Sequence, residues 1–270
     1  MKKLLSLLLV LSLILAACGK SDKGADGQQT EEKKDIKVAS HIPPMTDMLE
    51  LVKPLMEKDG YNMEIVHVSD NVQPNQMLKD KEVDANFFQH PPYMELFNEA
   101  NDANLVVVQH VYDAPLGLYS TTYNSVEEIP DGATIAIPND TSNIARSLKL
   151  METGGLIKLK EGVGIDATQK DIIENPKDLK ILEVDLLMLA RSYEDVDAVT
   201  MLPAYAEPLG LNPAEHSLIE EGKSDFPISL IAREDNKDSA AIQALAKHLS
   251  GPEIVKFLEE NFPTTYKPAF

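Results

Sequence analysis

Cysteine is the scarcest reactive residue of the sequence, with Cys18 alone among 270 residues, and tryptophan is absent. The chain therefore cannot contain a disulfide framework, a cluster of thiolate metal ligands or a cysteine nucleophile beyond position 18. Its stability has to come from apolar packing. Apolar residues make up 43% of the chain, and the roughly 235 residues after the N-terminal region are enough for one large domain or two lobes.

Basic residues are also few: 25 lysines and arginines face 44 aspartates and glutamates, which gives a formal net charge of −19. Such an acidic surface repels phosphate backbones, so the sequence predicts no binding to nucleic acid. Arginine occurs at three positions, Arg146, Arg191 and Arg233. Because lysine is the usual cation of this chain, each arginine is a candidate for holding a planar anionic group such as a carboxylate.

The chain lacks the short motifs of the common enzyme classes. It contains no G-x-S-x-G, H-E-x-x-H, phosphate-loop or G-x-G-x-x-G sequence, so we predict that it is not an enzyme. The histidines lack the spacing of a metal site, and we predict neither a metal nor another cofactor. They are His41, His67, His90, His110, His216 and His248.

The first residues have the pattern of a bacterial export signal. Two lysines precede an apolar run at residues 4–15 that is too short to cross a bilayer, so we predict that residues 1–17 are a signal peptide. Leu15-Ala16-Ala17-Cys18 follows and resembles the bacterial lipobox, in which the cysteine is acylated. The alternative is an ordinary signal peptide followed by an incidental cysteine.

Residues 18–34 are predicted to be the lipidated Cys18 and a flexible tether. After the cysteine, this segment has no aromatic and no branched apolar residue, so it cannot bury enough surface to offset the entropy of ordering. With a lipid on Cys18, we expect an exported protein that is lipid-anchored to the outer face of the cell membrane.

From residue 35 onward, short β-branched runs alternate with stretches whose apolar residues have helical spacing. This alternation predicts an α/β fold with mostly parallel strands. The elements fall into three blocks, which we assign to lobe 1 (35–116), lobe 2 (117–225) and a return to lobe 1 (226–270). Two α/β lobes behind a tether favour a binding protein with a ligand cleft between the lobes.

The first candidate binding segment is DANFFQHPPY at residues 84–93. It places Phe88, His90 and Tyr93 where a strand gives way to a helix, and ligands of open α/β sheets bind at such carboxyl ends of strands. Two aromatic rings and an imidazole form a slot suited to an apolar or thioether side chain. The alternative is that Phe88 and Tyr93 belong to the core while His90 caps the turn.

The second candidate segment is PNDTSNIARSL at residues 138–148. A helix begins there without an acidic side chain in its first full turn, so its N–H groups favour an anion, and Arg146 could bind a carboxylate. The alternative is that Arg146 pairs with an acidic residue of the surface. His41, which follows the first strand, could reach the cleft or could only serve the turn.

Several segments together resemble the methionine-binding lipoproteins of the MetQ/NlpA family, the extracytoplasmic receptors of methionine ABC importers. The segments are the lipobox, DANFFQHPPY, IAIPNDTSNIARSL, GLIKLKEGVG, IIENPKDLKILEVD and IAREDNKD. The resemblance implies a two-lobed, periplasmic-binding-protein-like fold with methionine in the cleft. It also implies that Phe88, His90 and Tyr93 contact the ligand, and that Arg146 binds its carboxylate with Asn143 close by.

Two positions depart from the family pattern. The family commonly has an asparagine for the ligand's amino group shortly before Tyr205-Ala206, whereas this chain has Met201-Leu202-Pro203-Ala204. Asn71 stands where some members have a tyrosine, and its carbonyl oxygen could accept from an ammonium group instead.

The resemblance predicts a monomeric receptor that delivers L-methionine to an ABC transporter permease and its ATPase. Alternative ligands are D-methionine, a methionyl peptide or another small amino acid. A surface adhesin or interaction lipoprotein that keeps the binding-protein fold is the alternative from a different class.

Overall fold

The structure is a computed structural model that describes residues 34–222 and 226–270. The predicted signal peptide, Cys18 and the tether up to residue 33 lie outside the described residues. The strands are β1 (Asp35–Ser40), β2 (Asn62–His67), β3 (Ala85–Gln89), β4 (Leu105–Asp113), β5 (Gly117–Tyr119), β6 (Thr134–Pro138), β7 (Lys158–Leu159), β8 (Ile172–Glu174), β9 (Lys180–Val184), β10 (Ala198–Met201), β11 (Ile219–Glu220), β12 (Ile228–Arg233) and β13 (Lys267–Pro268). The helices are α1 (Met45–Lys58), α2 (Gln73–Lys79), α3 (Pro91–Asn101), α4 (Thr141–Thr153), α5 (Leu189–Ser192), α6 (Pro203–Ala206), α7 (Pro213–His216), α8 (Ala240–Leu249) and α9 (Pro252–Asn261). None of these helices is long and apolar enough to cross a membrane.

The first sheet has the strand order β13-β4-β12-β3-β1-β2. β1 runs parallel to β2 and β3, with Val38 opposite Ile65 on one side and Ala85 on the other. β12 runs antiparallel to both of its neighbours, β3 and β4. The α/β class is confirmed, but this sheet is mixed and not mostly parallel. The sequence does not reveal the direction of a strand that is buried on both faces, because its apolar run looks the same in either direction.

The second sheet has the strand order β11-β5-β10-β6-β9. β6 runs parallel to β9 and β10, whereas β5 is antiparallel to β10 and β11. The short strands β7 and β8 pair separately. The strands of this sheet lie between residues 117 and 220. The lobe boundaries at 116/117 and 225/226 stay a prediction.

Each sheet has its own hydrophobic core. The first core joins β3 and β12 to α1 and α8 through side chains such as Phe87, Leu230 and Leu245, which are fully buried. The second core joins β6 to α4 through Ile137 and Leu148. Burying side chains of this size contributes about 1.5 to 3 kcal/mol each. Ile42, just after β1, packs against both cores and therefore lies where the two layers meet.

Candidate ligand-binding site

A pocket lies where the loops after β1, β3 and β6 converge, and its atom-free volume is about 500 Å³ including its mouth. Six of the seven binding residues predicted from the sequence line it, namely His41, Asn71, Phe88, His90, Tyr93 and Asn143. Tyr205 lines it from α6 beside the second sheet, and Tyr112 and Tyr266 line it from the first.

A row of aromatic rings forms one wall of the pocket. The ring centre of Phe88 lies 5.8 Å from that of His41 and 5.9 Å from that of Tyr93, and Tyr93 lies 6.2 Å from His90. Each pair meets edge to face, the arrangement that aromatic rings prefer. A thioether makes favourable contacts with such ring edges and faces, so this wall can hold the side chain of methionine.

His90 is both the cap of α3 and a residue of the pocket, so the two alternatives derived from the sequence hold together. Its Nδ1 accepts the backbone N–H of Tyr93 at 3.3 Å. The proton must then sit on Nε2, which lies 3.3 Å from Asn143 Oδ1 and donates to it. Burial lowers the pKa of His90 to about 3, and the positive charge of Arg146 acts in the same direction. The imidazole is therefore neutral and held in one tautomer.

The start of α4 differs from the sequence prediction. Asp140 is the residue before the helix, and its carboxylate accepts the backbone N–H and the side-chain amide of Asn143, at 2.9 to 3.1 Å. A carboxylate of the chain itself therefore occupies the helix N-terminus, and the prediction that this end is free for an anion was wrong. The same contacts fix the Asn143 amide, whose oxygen meets His90.

His41 and Asn71 also line the pocket, and both contact the aromatic wall. The Nε2 of His41 lies 3.3 Å from the hydroxyl of Tyr205, while its Nδ1 has no hydrogen-bond partner among the described residues. Burial lowers the pKa of His41 to about 4, although Asp70 opposes the shift. The backbone carbonyl of Asn71 accepts the Tyr93 hydroxyl at 2.8 Å. This contact ties the loop before α2 to the aromatic wall.

Arg146 is the seventh predicted binding residue, and it does not line the pocket. Its Nε donates to Glu221 Oε1 at 2.9 Å, its Nη2 also binds the Glu221 carboxylate, and Nη2 donates to the carbonyl of Ala114 at 2.7 Å. The guanidinium lies 4.5 Å from the ring centre of Phe226. The ring centre of Phe226 lies in turn 5.1 Å from that of His90. The arginine thus stands next to the pocket and is paired with an acid, as the second alternative derived from the sequence supposed.

A buried network of three amides that was not predicted from the sequence supports the pocket. Asn75 donates to Gln89 Oε1 at 2.9 Å, Asn86 donates to Asn75 Oδ1 at 2.9 Å, and Gln89 donates to Asn86 Oδ1 at 2.8 Å. Gln89 also lines the pocket. Two amide residues inside the buried strand at 85–89 were the available signal, because buried polar groups require partners.

The described residues contain no group of three or more histidine, cysteine, aspartate or glutamate side chains placed to hold a metal ion. The polar groups that line the pocket are instead neutral imidazoles, amides and phenols. Burial raises the pKa of Tyr93 and of Tyr205 above their ordinary range, so both phenols keep their protons. The arrangement can bind a ligand by shape and hydrogen bonds.

Residues 36–270 match the family model described as NlpA lipoprotein. The methionine-binding lipoprotein MetQ of Bacillus subtilis is 39% identical over 276 residues, which cover 99% of each chain. The D-methionine-binding lipoprotein MetQ of Escherichia coli K12 is 34% identical over 258 residues, which cover 94% of this chain and 92% of that protein. Among solved structures, a nutrient binding protein from Burkholderia cenocepacia bound to methionine superposes with a TM-score of 0.84 at 35% identity, over 87% of this chain and 100% of that one.

The family model spans nearly the whole described region, and the similarity in structure confirms the periplasmic-binding-protein-like α/β fold. The chain belongs to the NlpA lipoprotein family.

Proposed function

We propose that the protein is an extracytoplasmic receptor without catalytic activity that binds methionine, with L-methionine favoured, and delivers it to an ABC importer. The observation that carries the proposal is the pocket lined from both sheets, with its aromatic wall of Phe88, Tyr93 and His90. Relatives named for methionine and for D-methionine match over nearly the full length, which supports the same class of ligand. D-methionine, a methionyl peptide and another small amino acid are the alternatives.

In the proposed complex, the thioether lies against Phe88, Tyr93 and the neutral ring of His90. These three side chains are buried or half-buried in the pocket, so little surface has to be ordered before the ligand binds. Asn71 and His41 supply polar atoms beside this wall. The unpartnered Nδ1 of His41 is available to a polar group of the ligand.

The ligand's carboxylate is proposed to bind Arg146, with Asn143 close by. Because Glu221 holds the guanidinium through Nε and Nη2, binding requires an exchange in which the ligand's carboxylate replaces the Glu221 carboxylate. Such an exchange keeps the buried arginine paired throughout, which avoids the cost of leaving a charge without a partner.

The two lobes, 35–116 with 226–270 and 117–225, are proposed to close over the ligand and to present a surface that the permease binds. The lipid on Cys18 and the tether to residue 34 hold the monomeric receptor at the outer face of the membrane. A flexible chain of this length spans roughly 20 to 25 Å, so the receptor stays beside a permease and its ATPase.

Isothermal titration calorimetry tests the ligand. The protein is refolded to remove any ligand carried through purification, and L-methionine, D-methionine and a methionyl dipeptide are added in parallel. We expect micromolar or tighter binding of L-methionine, which corresponds to about −8 kcal/mol or better. Heat from another ligand, with none from L-methionine at micromolar concentration, would contradict the assignment.

A matched pair of arginine variants tests the carboxylate contact. Arg146→Ala removes the proposed partner of the carboxylate, while Arg191→Ala removes the same charge from an exposed position. We expect Arg146→Ala to lower the methionine affinity at least a hundredfold and Arg191→Ala to leave it unchanged. If Arg146→Ala binds like the wild type, the interaction-lipoprotein alternative is favoured.

Uptake of radiolabelled methionine by cells tests the delivery step. Cys18→Ser removes the acylated side chain but leaves the binding pocket intact. We expect the variant to bind methionine normally in solution and to support much slower uptake. Equal uptake by the variant and the wild type would show that the lipid is not required for delivery.

A further inference from the structure

Two hydrogen bonds cross the junction between the two sheets, and a histidine side chain makes each of them. His41 follows β1 of the first sheet, and its Nε2 lies 3.3 Å from the hydroxyl of Tyr205, which belongs to α6 and to the second core. His90 follows β3 of the first sheet, and its Nε2 lies 3.3 Å from Oδ1 of Asn143 in α4, which packs on the second sheet. All four side chains line the ligand pocket. The two rings therefore hold opposite walls of the pocket together.

The surroundings of both rings suit only a neutral imidazole. The Nδ1 of His90 accepts the backbone N–H of Tyr93, so a second proton on this ring would point one N–H group at another. The Nδ1 of His41 is buried and has no hydrogen-bond partner among residues 34–222 and 226–270, so a proton there would create a buried charge without a partner. Burying such a charge is costly. The joined sheets therefore exclude a second proton from each ring.

The charged and titratable groups around the two rings act in different directions. They are Asp70 and Tyr205 at His41, and Tyr93 and Arg146 at His90, with Asp140 behind Asn143. The carboxylate of Asp70 attracts a proton to His41, whereas the guanidinium of Arg146 repels one from His90. Burial has the larger effect at both rings and lowers the pKa of His41 to about 4 and that of His90 to about 3. His41 is therefore the ring that gains a proton first when the pH falls.

Separation of the two sheets would expose both rings to water, where histidine has its ordinary pKa of about 6.5. The separated form then binds protons that the joined form excludes, so a fall in pH favours separation. Between pH 7.5 and 5, a ring whose pKa is about 4 in the joined form and about 6.5 in water shifts this equilibrium roughly thirtyfold. The joined form is thus fully favoured at neutral pH and loses this advantage as the pH falls below about 6.5.

We propose that His41 and His90 form a pH-sensitive latch, which holds the two sheets together over the pocket at neutral pH and releases them in acid. The latch consists of side chains of the protein alone and works without a ligand. A receptor with this latch binds its ligand tightly at neutral pH and weakly in an acidified medium. The effect on ligand affinity rests on the proposed function, whereas the opening in acid does not.

Small-angle X-ray scattering of the refolded, ligand-free protein at pH 7.5 and 5 tests the opening. His41→Gln removes one titrating ring of the latch, and His67→Gln removes a histidine from an exposed position. We expect the radius of gyration of the wild type and of His67→Gln to increase at pH 5 while the far-UV circular dichroism stays unchanged. The increase should be smaller in His41→Gln. A constant radius in the wild type, an equal increase in His41→Gln or a simultaneous loss of circular dichroism contradicts the latch.

Tyr205→Phe tests the same contact from the other side of the junction. It removes the hydroxyl that His41 meets and keeps both the aromatic ring and the histidine. We expect a larger radius of gyration than that of the wild type already at pH 7.5, and a smaller change on acidification. A variant with the radius and the pH response of the wild type contradicts the latch, and this measurement decides even if His41→Gln fails to fold.

Calorimetry with L-methionine at the same two pH values tests the effect on affinity. Methionine itself keeps the same charges between pH 7.5 and 5, so a change in affinity reports on the protein. We expect the wild type and His67→Gln to bind at least tenfold more weakly at pH 5, and His41→Gln to show a smaller difference between the two pH values. Equal affinities of the wild type at both values contradict the latch. A wild type that fails to bind methionine at pH 7.5 contradicts the proposed function instead, and the scattering measurement still decides the latch.

Discussion

Arg146 and Glu221 form a buried ion pair although they lie 75 positions apart in the chain. The arginine side chain is 1% exposed and the glutamate side chain 17% exposed. The strongest cation beside the pocket is therefore already neutralised, and a ligand that carries a carboxylate has to compete with a carboxylate of the receptor. Affinity and stability should then respond in opposite directions when Glu221 is changed.

Glu221→Gln should bind methionine about tenfold more tightly, which corresponds to about 1.4 kcal/mol, because the competing charge is gone. It should also lower the free energy of unfolding by about 3 kcal/mol, since a buried arginine loses its ionic partner. Calorimetry and urea unfolding measure the two effects. The neighbouring exposed Glu220→Gln serves as the control, and weaker binding by Glu221→Gln would contradict the exchange.

Acid should destabilise the protein through its buried histidines. The pKa of His90 falls to about 3 and that of His41 to about 4 on folding, both because of burial. Between these values and 6.5, the unfolded chain binds protons that the folded protein does not, so the free energy of unfolding falls as the pH drops through this range. His90→Gln should flatten that fall in urea titrations from pH 7 to 4, whereas the exposed His67→Gln should not.

The titration of Glu207 should have the opposite effect on the pH dependence of the free energy of unfolding. Its pKa rises from 4.5 to about 7 on folding because of burial. The folded protein therefore holds a proton that the unfolded chain has released, and the free energy of unfolding decreases as the pH rises from about 4.5 to 7. Glu207→Gln should remove this contribution, which urea unfolding at constant ionic strength measures. The same slope in the variant and the wild type would mean that the carboxylate is solvated.

The amide network should stabilise both the fold and the site. Asn75→Ala leaves Gln89 and Asn86 each without one buried partner, and a loss of about 2 to 3 kcal/mol in the free energy of unfolding follows. Because Asn75 lies in α2, just after the Asn71 loop, methionine affinity should fall as well. Asn212→Ala, which removes a cap from α7, is the control that should lower stability without changing affinity.

The local parts of the site could be predicted from the sequence. The segment at 84–93 has a buried strand, two prolines and a capping histidine within ten residues, so sequence alone placed Phe88, His90 and Tyr93 at one strand end. The partnership of Arg146 could not be predicted, because an acidic chain offers many carboxylates and only the fold selects Glu221. Tyr266 was missed for the same reason, since no local pattern connects it with Tyr112.

Short elements account for the differences in the fold. β5 and β11 have three and two residues, too few to show an alternating pattern. β5 pairs with β10, and β11 pairs with β5. Helix α2 begins at Gln73-Pro74 and is seven residues long. A segment this short has too few apolar residues at helical spacing to be distinguished from a loop. Long, amphipathic elements such as α1 and α4 are easier to predict, because their apolar faces are defined by spacing alone.

The place of β12 between β3 and β4 has a consequence for how the chain is made and exported. In the first sheet, β12 lies between β3 and β4 and pairs with both. Until residues 228–233 have been synthesised, β3 and β4 lack the strand that connects them. Pairing that depends on such distant segments is slow. A chain whose first sheet closes only near the end of translation remains unfolded for longer, which favours passage through a secretion channel that admits extended polypeptide.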